Sequence, residues 1–303
     1  MYKILATDGM AKSAVAKLES LGYEVEQKFY EPDELAEKVK EADALVVRSA
    51  TKVREPIIDA AAEAGKLKVI IRGGVGVDNI DVAYAESKGI KVRNTPKASS
   101  ASVAELTIGH MFSMARFIGI SNYTMREGQW EKKSYKGVEL CGKTLGLIGM
   151  GRIAREVAKR AAALGMKIMY TDIFDIPDLP ADYIKSTKEE ILKNADFVSI
   201  HIPMPADKKP VISAEELALM KPTAYLLNLA RGGLVDEDVL CDALDNGKLA
   251  GAALDVYAKE PPENKRVLTN SKISMTPHIG ASTGEAQDRI GEEIVGIITE
   301  ILK

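Results

Sequence analysis

The sequence predicts an α/β protein with two domains, each built on a doubly wound parallel sheet. Its 303 residues exceed the usual length of one domain and suit two. Short strand-like apolar runs alternate with helical patterns along most of the chain, which is typical of parallel strands joined by helices. A glycine-rich turn lies near the middle of the chain rather than at its start. The domain to which this turn belongs is therefore preceded by another domain in the chain.

The first hundred residues make up the first predicted domain. Strands are predicted at Lys3–Ala6, Ala44–Arg48, Val69–Ile71 and Lys91–Val92, and helices at Ala11–Leu21, Asp33–Glu41, Glu55–Ala64 and Asp81–Lys88. Because helices separate the strands, right-handed crossovers would make the strands parallel. The domain is predicted to end near Pro96.

The second domain is predicted to start with a long helix, roughly Ser99–Ile120, for which Ser99 or Ser100 provides the N-cap. Six strands follow, the number that a complete doubly wound sheet needs. They are predicted at Thr144–Ile148, Lys167–Tyr170, Phe197–Ile200, Ala224–Leu227, Ala250–Leu254 and Ile273–Met275. The last segment, Gly284–Ile301, has one helical pattern, and this pattern alone does not decide which domain the helix covers.

The glycine-rich turn has the features of a dinucleotide-binding motif. The apolar strand Thr144–Ile148 leads into Gly149 and Gly151, which allow a tight turn and the close approach of a pyrophosphate at the start of a helix. Ala154 stands at the third glycine position, where a small side chain suffices. Asp172 follows the next strand, 23 residues after Gly149. Since an acid at about this spacing receives the ribose hydroxyls, the motif predicts NAD rather than NADP.

Composition excludes several classes of partner. A net charge of -3 gives no broad basic face for nucleic acid or a membrane surface. No apolar run approaches the length of about 18 residues that spans a membrane, and no signal peptide is apparent. The two cysteines, Cys141 and Cys241, suit neither a disulfide framework nor a metal site. We therefore expect a cytoplasmic protein that acts on a small molecule and holds no metal.

Three histidines could exchange a proton near neutral pH. His110 lies within the long helix and is predicted to be a satisfied core or interface residue. His201 follows a predicted strand, where a role in lining the cofactor and a structural role are equally open. His278 follows the last predicted strand and would face the nicotinamide end of a dinucleotide. Hydride transfer at carbon needs a proton partner on oxygen, and His278 is the predicted general acid/base.

Two charged side chains follow other strand ends of the same predicted sheet. Glu260 could hold His278, favour its protonated form and fix its tautomer. Arg231 carries a planar guanidinium that suits a carboxylate and an adjacent carbonyl at once. Either residue alone could belong to a surface ion pair. Together with His278 at three successive strand ends, they favour an active site.

Two segments of the first domain could bind anions. Arg72–Asp78 is a second glycine-rich turn after a strand, and its backbone N–H groups could form an anion nest or belong to a plain strand-to-helix turn. Arg48, with Ser49, Thr51 and Lys52, follows another strand, as a phosphate site would require.

Taken together, these segments resemble the D-isomer-specific 2-hydroxyacid dehydrogenases along nearly the whole chain. Besides the central glycine-rich motif, the most specific blocks are Val47–Val53, Arg72–Asp81, Asn94–Pro96, Ser102–Leu106, Gly128–Trp130, Glu139–Thr144, Ala230–Gly233, Gly251–Val256 and Pro277–Thr283. The resemblance implies that Arg231 binds the α-carboxylate and polarises the C2 oxygen, that His278 is the acid/base on this oxygen, and that Glu260 holds His278. Hydride would pass between C2 and the nicotinamide C4.

The resemblance also implies which residues contact the ligands. With the glycine motif and His201 included, the predicted NAD-binding set is Val75, Gly149, Gly151, Arg152, Ile153, Asp172, His201, Ile202, Pro203, Leu229, Ala230, Asp255, His278, Gly280 and Ala281. Asp255 would receive the carboxamide, and Arg152 and Ile153 the pyrophosphate. The predicted substrate-binding set is Arg48, Ser49, Arg72, Gly73, Gly74, Val75, Gly76, Arg231 and His278, with Arg48 and Arg72 drawn toward a phosphate. One segment, 201–210, lacks the threonine and glycine usual in the family, which weakens the implied contacts there.

The arrangement of the domains is implied in the same way. A Rossmann NAD-binding domain, residues 97–280, would be inserted in a flavodoxin-like substrate domain formed by residues 1–96 and 281–303, with a cleft between them. The region Ser99–Tyr135 builds a homodimer in the family. The resemblance is strongest to members that oxidise 3-phospho-D-glycerate to 3-phosphooxypyruvate in L-serine biosynthesis, in a short form without a C-terminal regulatory domain.

Two alternatives stay open. A hydroxypyruvate or glyoxylate reductase has the same fold and differs in whether Arg48 and Arg72 hold a phosphate. A co-repressor that senses NAD is a protein of another class with the same fold and the same three residues at the site. It would need a groove for a partner peptide or appended tails, and the fold alone does not exclude it.

Overall fold

The structure, a computed structural model, describes all residues from Met1 to Lys303. The chain divides into two compact units. Unit 1 comprises Met1–Ser100 and Ala281–Lys303, and unit 2 comprises Ala101–Gly280. Each unit has its own parallel sheet with helices on both faces, so the predicted fold class is confirmed.

The elements follow one another in chain order. The strands are β1 (Lys3–Ala6), β2 (Glu24–Gln27), β3 (Ala44–Val47), β4 (Val69–Arg72), β5 (Lys91–Asn94), β6 (Thr144–Ile148), β7 (Lys167–Thr171), β8 (Ile184–Lys185), β9 (Phe197–Ile200), β10 (Tyr225–Asn228), β11 (Gly251–Leu254) and β12 (Ile273–Met275). The helices are α1 (Lys12–Ser20), α2 (Pro32–Lys38), α3 (Glu55–Ala64), α4 (Val82–Ser87), α5 (Ser100–Arg116), α6 (Ile118–Arg126), α7 (Arg152–Ala163), α8 (Lys188–Asn194), α9 (Ala214–Leu219), α10 (Glu237–Asp245), α11 (Lys265–Thr269) and α12 (Gly284–Ile301). None of these helices is long and apolar enough to cross a membrane.

The sheet of unit 1 has the order β2-β1-β3-β4-β5, and all its strands are parallel. This is the flavodoxin-like order, with the switch point between β1 and β3. One strand, β2, was not predicted from the sequence. Its residues, Glu24–Gln27, are mostly charged or polar, and it lies at the edge of the sheet, where pairing with β1 rather than burial holds it in place.

The sheet of unit 2 has the order β12-β11-β10-β9-β6-β7-β8, again with parallel strands. This order is the Rossmann order with one added strand, and the switch point lies between β6 and β9. The sheet has seven strands rather than the six predicted. The unpredicted strand, β8, contains only Ile184 and Lys185, both exposed at the sheet edge, so no hydrophobic pattern marks it in the sequence.

The single helix predicted for Ser99–Ile120 was wrong, since two helices occupy this region. Phe117, between α5 and α6, adopts a left-handed conformation with φ of 55°. A residue in this conformation cannot continue a right-handed helix. Its ring packs against Tyr135 with the ring centroids 5.7 Å apart. The break between α5 and α6 therefore coincides with a packing contact between two residues that are distant in sequence.

Helix α12 packs on the sheet of unit 1. Its buried side chains, including Ile290, Ile294 and Ile298, share one core cluster with Ile4 and Ile71 of the sheet. The same helix crosses α1 closely at Gly291, where an added Cβ would lie 2.7 Å from the Cβ of Ala14. Residues at the two ends of the chain thus build one hydrophobic core.

We expect Gly291→Ala to destabilise the protein by about 1–3 kcal/mol, because the new methyl group overpacks the contact with Ala14. Gly296 provides the matched control. It lies in the same helix, and an added Cβ there would have no neighbour within 4 Å. Gly296→Ala should be neutral or stabilise by up to about 1 kcal/mol through helix propensity. Urea unfolding measures both variants, and equal stabilities would contradict the proposed packing constraint.

Candidate active site

The candidate residues of unit 2 follow the carboxyl ends of neighbouring strands. His201 follows β9, Arg231 follows β10, Asp255 follows β11 and His278 follows β12. Because all these strands are parallel, their carboxyl ends lie at one edge of the sheet. The topology therefore gathers these polar side chains at that edge.

Glu260 and His278 form a direct hydrogen-bonded pair. The Nδ1 atom of His278 lies 2.7 Å from Oε2 of Glu260. The other carboxylate oxygen of Glu260 accepts the backbone N–H of Tyr257 at 3.2 Å. The His278 side chain is 40% exposed, and its Nε2 atom has no hydrogen-bond partner in the chain. Glu260 thus fixes the ring and leaves one nitrogen accessible to a ligand.

The surroundings of Glu260 keep its carboxyl group ionised. Partial burial raises its pKa, but the hydrogen bond from His278, the charges of His278 and Arg231, and the N–H of Tyr257 outweigh this effect. The pKa of Glu260 is consequently below its usual value. An ionised carboxylate on Nδ1 supports a proton at that nitrogen and orients Nε2 for proton exchange.

The turn after β10 presents Arg231 beside Glu260. Asn228 shapes this turn, because its Nδ2 donates to the carbonyl of Arg231 at 2.8 Å and its Oδ1 accepts the N–H of Ala230 at 3.2 Å. A Cβ at Gly232 would lie only 1.7 Å from the carbonyl oxygen of Tyr257. Only glycine therefore lets this turn approach the loop that leads to Glu260.

A buried carboxylate holds the loop that carries His278. Asp255 is 1% exposed, and its Oδ1 accepts the hydroxyl of Thr276 at 2.6 Å and the N–H of Ile279 at 2.8 Å. Its Oδ2 accepts the N–H of Gly280 at 2.9 Å. Between these contacts, His278 adopts a left-handed backbone with φ of 54°. Asp255 thus has a structural role, and its predicted contact with a carboxamide remains a prediction.

The turn after β6 has the geometry of a dinucleotide-binding motif. Gly149 has φ of 91°, and a Cβ there would lie 2.6 Å from the carbonyl oxygen of His201. Gly151 is the N-cap of α7, and an added Cβ there would have open space around it. The first N–H groups of a helix have no acceptor within it. Those of Arg152 and Ile153 are consequently placed to bind an anionic group such as a pyrophosphate.

Asp172 lies at the end of β7 beside the same turn. Its Oδ2 accepts the N–H of Met150 at 2.7 Å, and its Oδ1 accepts the N–H of Phe174 at 3.0 Å. These bonds fix the carboxylate at the edge where the motif predicts ribose hydroxyls. The residues present therefore fit a dinucleotide with a free 2′-hydroxyl.

His201 is held close to the glycine turn. Its N–H donates to the carbonyl of Ile148 at 2.7 Å, and its Nε2 lies 2.9 Å from the hydroxyl of Ser199. Burial lowers the pKa of His201 to about 4, so its ring is neutral near pH 7. The methyl of Ile202 packs against Gly149, while Pro203 is exposed. A structural role for His201 is evident, and its predicted role in lining the cofactor stays a prediction.

The glycine turn of unit 1 is only partly available to an anion. The N–H of Gly73 donates to the carbonyl of Val47, and that of Gly74 to the carbonyl of Arg72, both at 2.9 Å. The N–H groups of Val75 and Gly76 have no acceptor in the chain. Gly74 has φ of 148° and lies directly under the Arg72 guanidinium, which a Cβ would displace. Half of the predicted nest is therefore used by the fold.

The loop after β3 that carries Arg48 and Ser49 is fixed by two residues that the sequence analysis missed. Asp8 accepts the N–H of Arg48 at 2.6 Å and the N–H and hydroxyl of Thr51 at 3.1 and 2.7 Å. Asn79 donates to the carbonyls of Arg48 and Thr51, both at 2.7 Å. Asp8 closely follows β1, so its position beyond a strand end was an available signal. Arg48 itself extends over Gly73.

The two cysteines and His110 do not belong to the candidate catalytic set. Cys141 is exposed and Cys241 is buried, and neither is disulfide-bonded. No group of three or more His, Cys, Asp or Glu side chains could hold a metal ion. His110 is 4% exposed, with Nδ1 2.9 Å from the hydroxyl of Ser274 and Nε2 3.0 Å from that of Thr276.

Comparison with known proteins identifies the family. A family model described as D-isomer specific 2-hydroxyacid dehydrogenase, NAD binding domain, matches residues 108–280. The chain is 46% identical to a D-3-phosphoglycerate dehydrogenase of Methanocaldococcus jannaschii, over all of this chain and 58% of that protein. It is 47% identical to a hydroxypyruvate reductase of Thermotoga maritima, over 97% of this chain and 96% of that protein. The chain belongs to the D-isomer-specific 2-hydroxyacid dehydrogenase family.

A solved structure has the same fold. The TT0316 protein of Thermus thermophilus superimposes with a TM-score of 0.90 and 36% identity, over 99% of this chain and 96% of that one. The chain spans 58% of the length of the Methanocaldococcus relative. The family model that matches unit 2 is that of an NAD-binding domain, in agreement with the glycine turn, Asp172 and the predicted cofactor.

We expect the pKa of Glu260 to rise in the variant His278→Ala, because the hydrogen bond and charge that lower it are lost while the burial that raises it remains. Carbon-13 NMR of the glutamate carboxyl groups, titrated from pH 3 to 7, measures the change. Glu263 is an exposed glutamate paired with Lys259, and its carboxyl signal provides an internal reference for the spectra. An unchanged pKa at Glu260 would contradict the pairing with His278.

Proposed function

We propose that the protein is an NAD-dependent dehydrogenase of D-2-hydroxy acids, which oxidises the C2 hydroxyl to a carbonyl or catalyses the reverse reaction. One observation carries this proposal. The ionised carboxylate of Glu260 holds one nitrogen of His278 and leaves the other accessible, and Arg231 follows β10, the strand next to the one that precedes Glu260. This arrangement suits a substrate that has a carboxylate next to a carbon–oxygen group.

Each residue of the set has a separate role in the proposed reaction. In the oxidation, Nε2 of His278 accepts the proton of the C2 hydroxyl, and in the reduction it returns this proton to the carbonyl oxygen. Arg231 binds the carboxylate and polarises the C2 oxygen. Glu260 orients His278 and stabilises the positive charge that develops on its ring. A dinucleotide held at the Gly149–Gly151 turn would supply the hydride acceptor for the oxidation in its NAD form and the hydride donor for the reduction in its NADH form.

In this proposal, the two units bind different ligand groups. Unit 2 binds NAD through the turn at Gly149 and Gly151, the first turn of α7, Asp172, and the residues at the carboxyl ends of β9 to β12. Unit 1 recognises substrate anions through the N–H groups of Val75 and Gly76 and the side chains of Arg48 and Arg72. The contacts assigned to Val75 and Ala281 with the cofactor belong to the same proposal.

The proposed substrate is 3-phospho-D-glycerate, which would be oxidised to 3-phosphooxypyruvate in L-serine biosynthesis. Two arginines near the glycine turn of unit 1, Arg48 and Arg72, offer charge for a phosphate in addition to the N–H groups that suit a carboxylate. The similarity to the Methanocaldococcus protein supports this choice. Hydroxypyruvate is the second candidate, since a relative with that activity in its name matches over nearly its whole length.

We also propose that the protein is a cytoplasmic homodimer built by the region 99–135. Several large apolar side chains are exposed there, and patches of this kind mark interaction sites. They include Ile118, Tyr123, Met125 and Trp130, the last of which is 76% exposed. Light scattering coupled to size exclusion would report the mass in solution, and a monomer would refute the dimer.

We expect wild-type protein to oxidise NADH with at least one of 3-phosphooxypyruvate, hydroxypyruvate and glyoxylate. His278→Ala should lower kcat by about 10² to 10⁴-fold, because general acid/base groups contribute this much. Glu263→Gln, which removes an exposed carboxylate near the site, should leave kcat unchanged. The loss of NADH absorbance measures turnover. If none of the three substrates were turned over, the proposal that the protein is an enzyme would be refuted, and a role in sensing NAD would be favoured.

Arg48→Ala should raise KM for 3-phosphoglycerate roughly tenfold or more, because a charge-assisted hydrogen bond to the phosphate is lost. KM for hydroxypyruvate, which has no phosphate, should change little. Arg54→Ala is the matched control, since Arg54 is exposed in the same unit and is paired with Asp81. Steady-state kinetics with each substrate measures the two KM values. Equal changes in both would rule out phosphate recognition by Arg48.

A further inference from the structure

We propose that His110 is a positioning residue for His278, and that it acts through the hydroxyl of Thr276 and the carboxylate of Asp255. This inference rests on the proposed function, in which His278 exchanges a proton with the substrate. His110 lies on α5, outside the loops that carry the candidate catalytic set. It does not contact that set itself, and its effect would pass through hydrogen bonds inside unit 2.

A row of hydrogen bonds connects His110 to the loop of His278. The Nε2 atom of His110 lies 3.0 Å from the hydroxyl oxygen of Thr276, and this hydroxyl donates to Asp255 at 2.6 Å. Asp255 then accepts the N–H groups of Ile279 and Gly280, at 2.8 and 2.9 Å. These two residues directly follow His278. The row therefore ends on the backbone that sets the direction of the catalytic ring.

The proton count fixes the direction of this row. The hydroxyl of Thr276 has one proton, and it gives this proton to Asp255. Its oxygen can then only accept from His110, so Nε2 of His110 carries a proton. Burial lowers the pKa of His110, although the charge of Asp255 partly opposes this effect. In the neutral ring Nδ1 is an acceptor, and it can receive the hydroxyl proton of Ser274, 2.9 Å away, in competition with the hydroxyl of Ser113, which lies 3.2 Å from that of Ser274.

The loop needs such support because its backbone is strained. His278 has φ of 54°, a left-handed conformation that residues with a Cβ seldom adopt. Tyr257 adds a second restraint, since its hydroxyl donates to the carbonyl of Thr276 at 2.9 Å. Thr276 is thus held at its backbone by Tyr257 and at its side chain by His110 and Asp255. Loosening the side-chain contact would let the ring of His278 move.

The site also allows His110 to be replaced without collapse of the fold. His110, Ser274 and Thr276 line one surface cavity of about 770 Å³. The open space beside the ring allows the surrounding side chains to relax when His110 is replaced. Variants at His110 are therefore expected to fold, and a thermal unfolding scan of each one checks this.

The test compares three substitutions at one position. His110→Leu removes both hydrogen bonds and should lower kcat roughly tenfold, since small displacements of catalytic groups have large effects on rate. His110→Gln places an amide N–H near the former Nε2 and should restore most of the activity. His110→Asn reaches only toward Ser274 and should not. Full activity of His110→Leu, or equal rescue by Asn and Gln, would overturn the proposal.

A second measurement follows the route of the effect. Thr276→Val removes the hydroxyl while keeping the shape of the side chain, and the effects of His110→Leu and Thr276→Val on kcat should not add, because both break the same row. Independent, additive effects would overturn the proposal.

Hydrogen exchange tests the same route without any activity. The amides of Ile279 and Gly280 should exchange faster in His110→Leu than in the wild type, and His110→Gln should restore their protection. Unchanged exchange would refute the positioning role. If the wild type turned over no substrate, the proposed function would fail, and hydrogen exchange would still decide the role of His110.

Discussion

The buried carboxylate of Asp255 is the contact on which the candidate active site depends. It directly follows β11 in the interior of unit 2 and accepts hydrogen bonds from two backbone N–H groups and one hydroxyl of the loop after β12. A charge this deeply buried is tolerated only when hydrogen bonds replace its hydration. These bonds also hold His278 in a backbone conformation that it would not adopt in a free loop. The orientation of the His278 ring, the proposed acid/base group, is therefore set by hydrogen bonds inside unit 2.

Both units use the same geometric rule to assemble polar groups. In unit 2, residues beyond β9, β10, β11 and β12 meet at one edge of the sheet, and in unit 1 the same is true of Asp8, Arg48 and Gly73 beyond β1, β3 and β4. A parallel sheet brings these ends together whatever the length of chain between them. Short-range sequence patterns therefore predict long-range proximity wherever strands are correctly identified.

This rule explains what the sequence could predict. The glycine turn, Asp172 and the pair of Glu260 and His278 follow recognisable strands. The strand β2 and the break at Phe117 were missed, because an exposed edge strand depends on its partner and a left-handed residue on distant packing. Asp8 was missed because its partners lie about forty residues away and include backbone groups. Similarly, no local pattern marks the row that starts at His110.

The edge strands have a consequence for how copies of this chain can associate. The edges of the two sheets are β2 and β5 in unit 1, and β12 and β8 in unit 2. They are two to four residues long, and β2, β5 and β8 carry charged side chains. Short, charged edges are poor templates for the backbone pairing that begins aggregation. Association through continuous sheets is thereby disfavoured, and specific assembly is left to helical and loop surfaces.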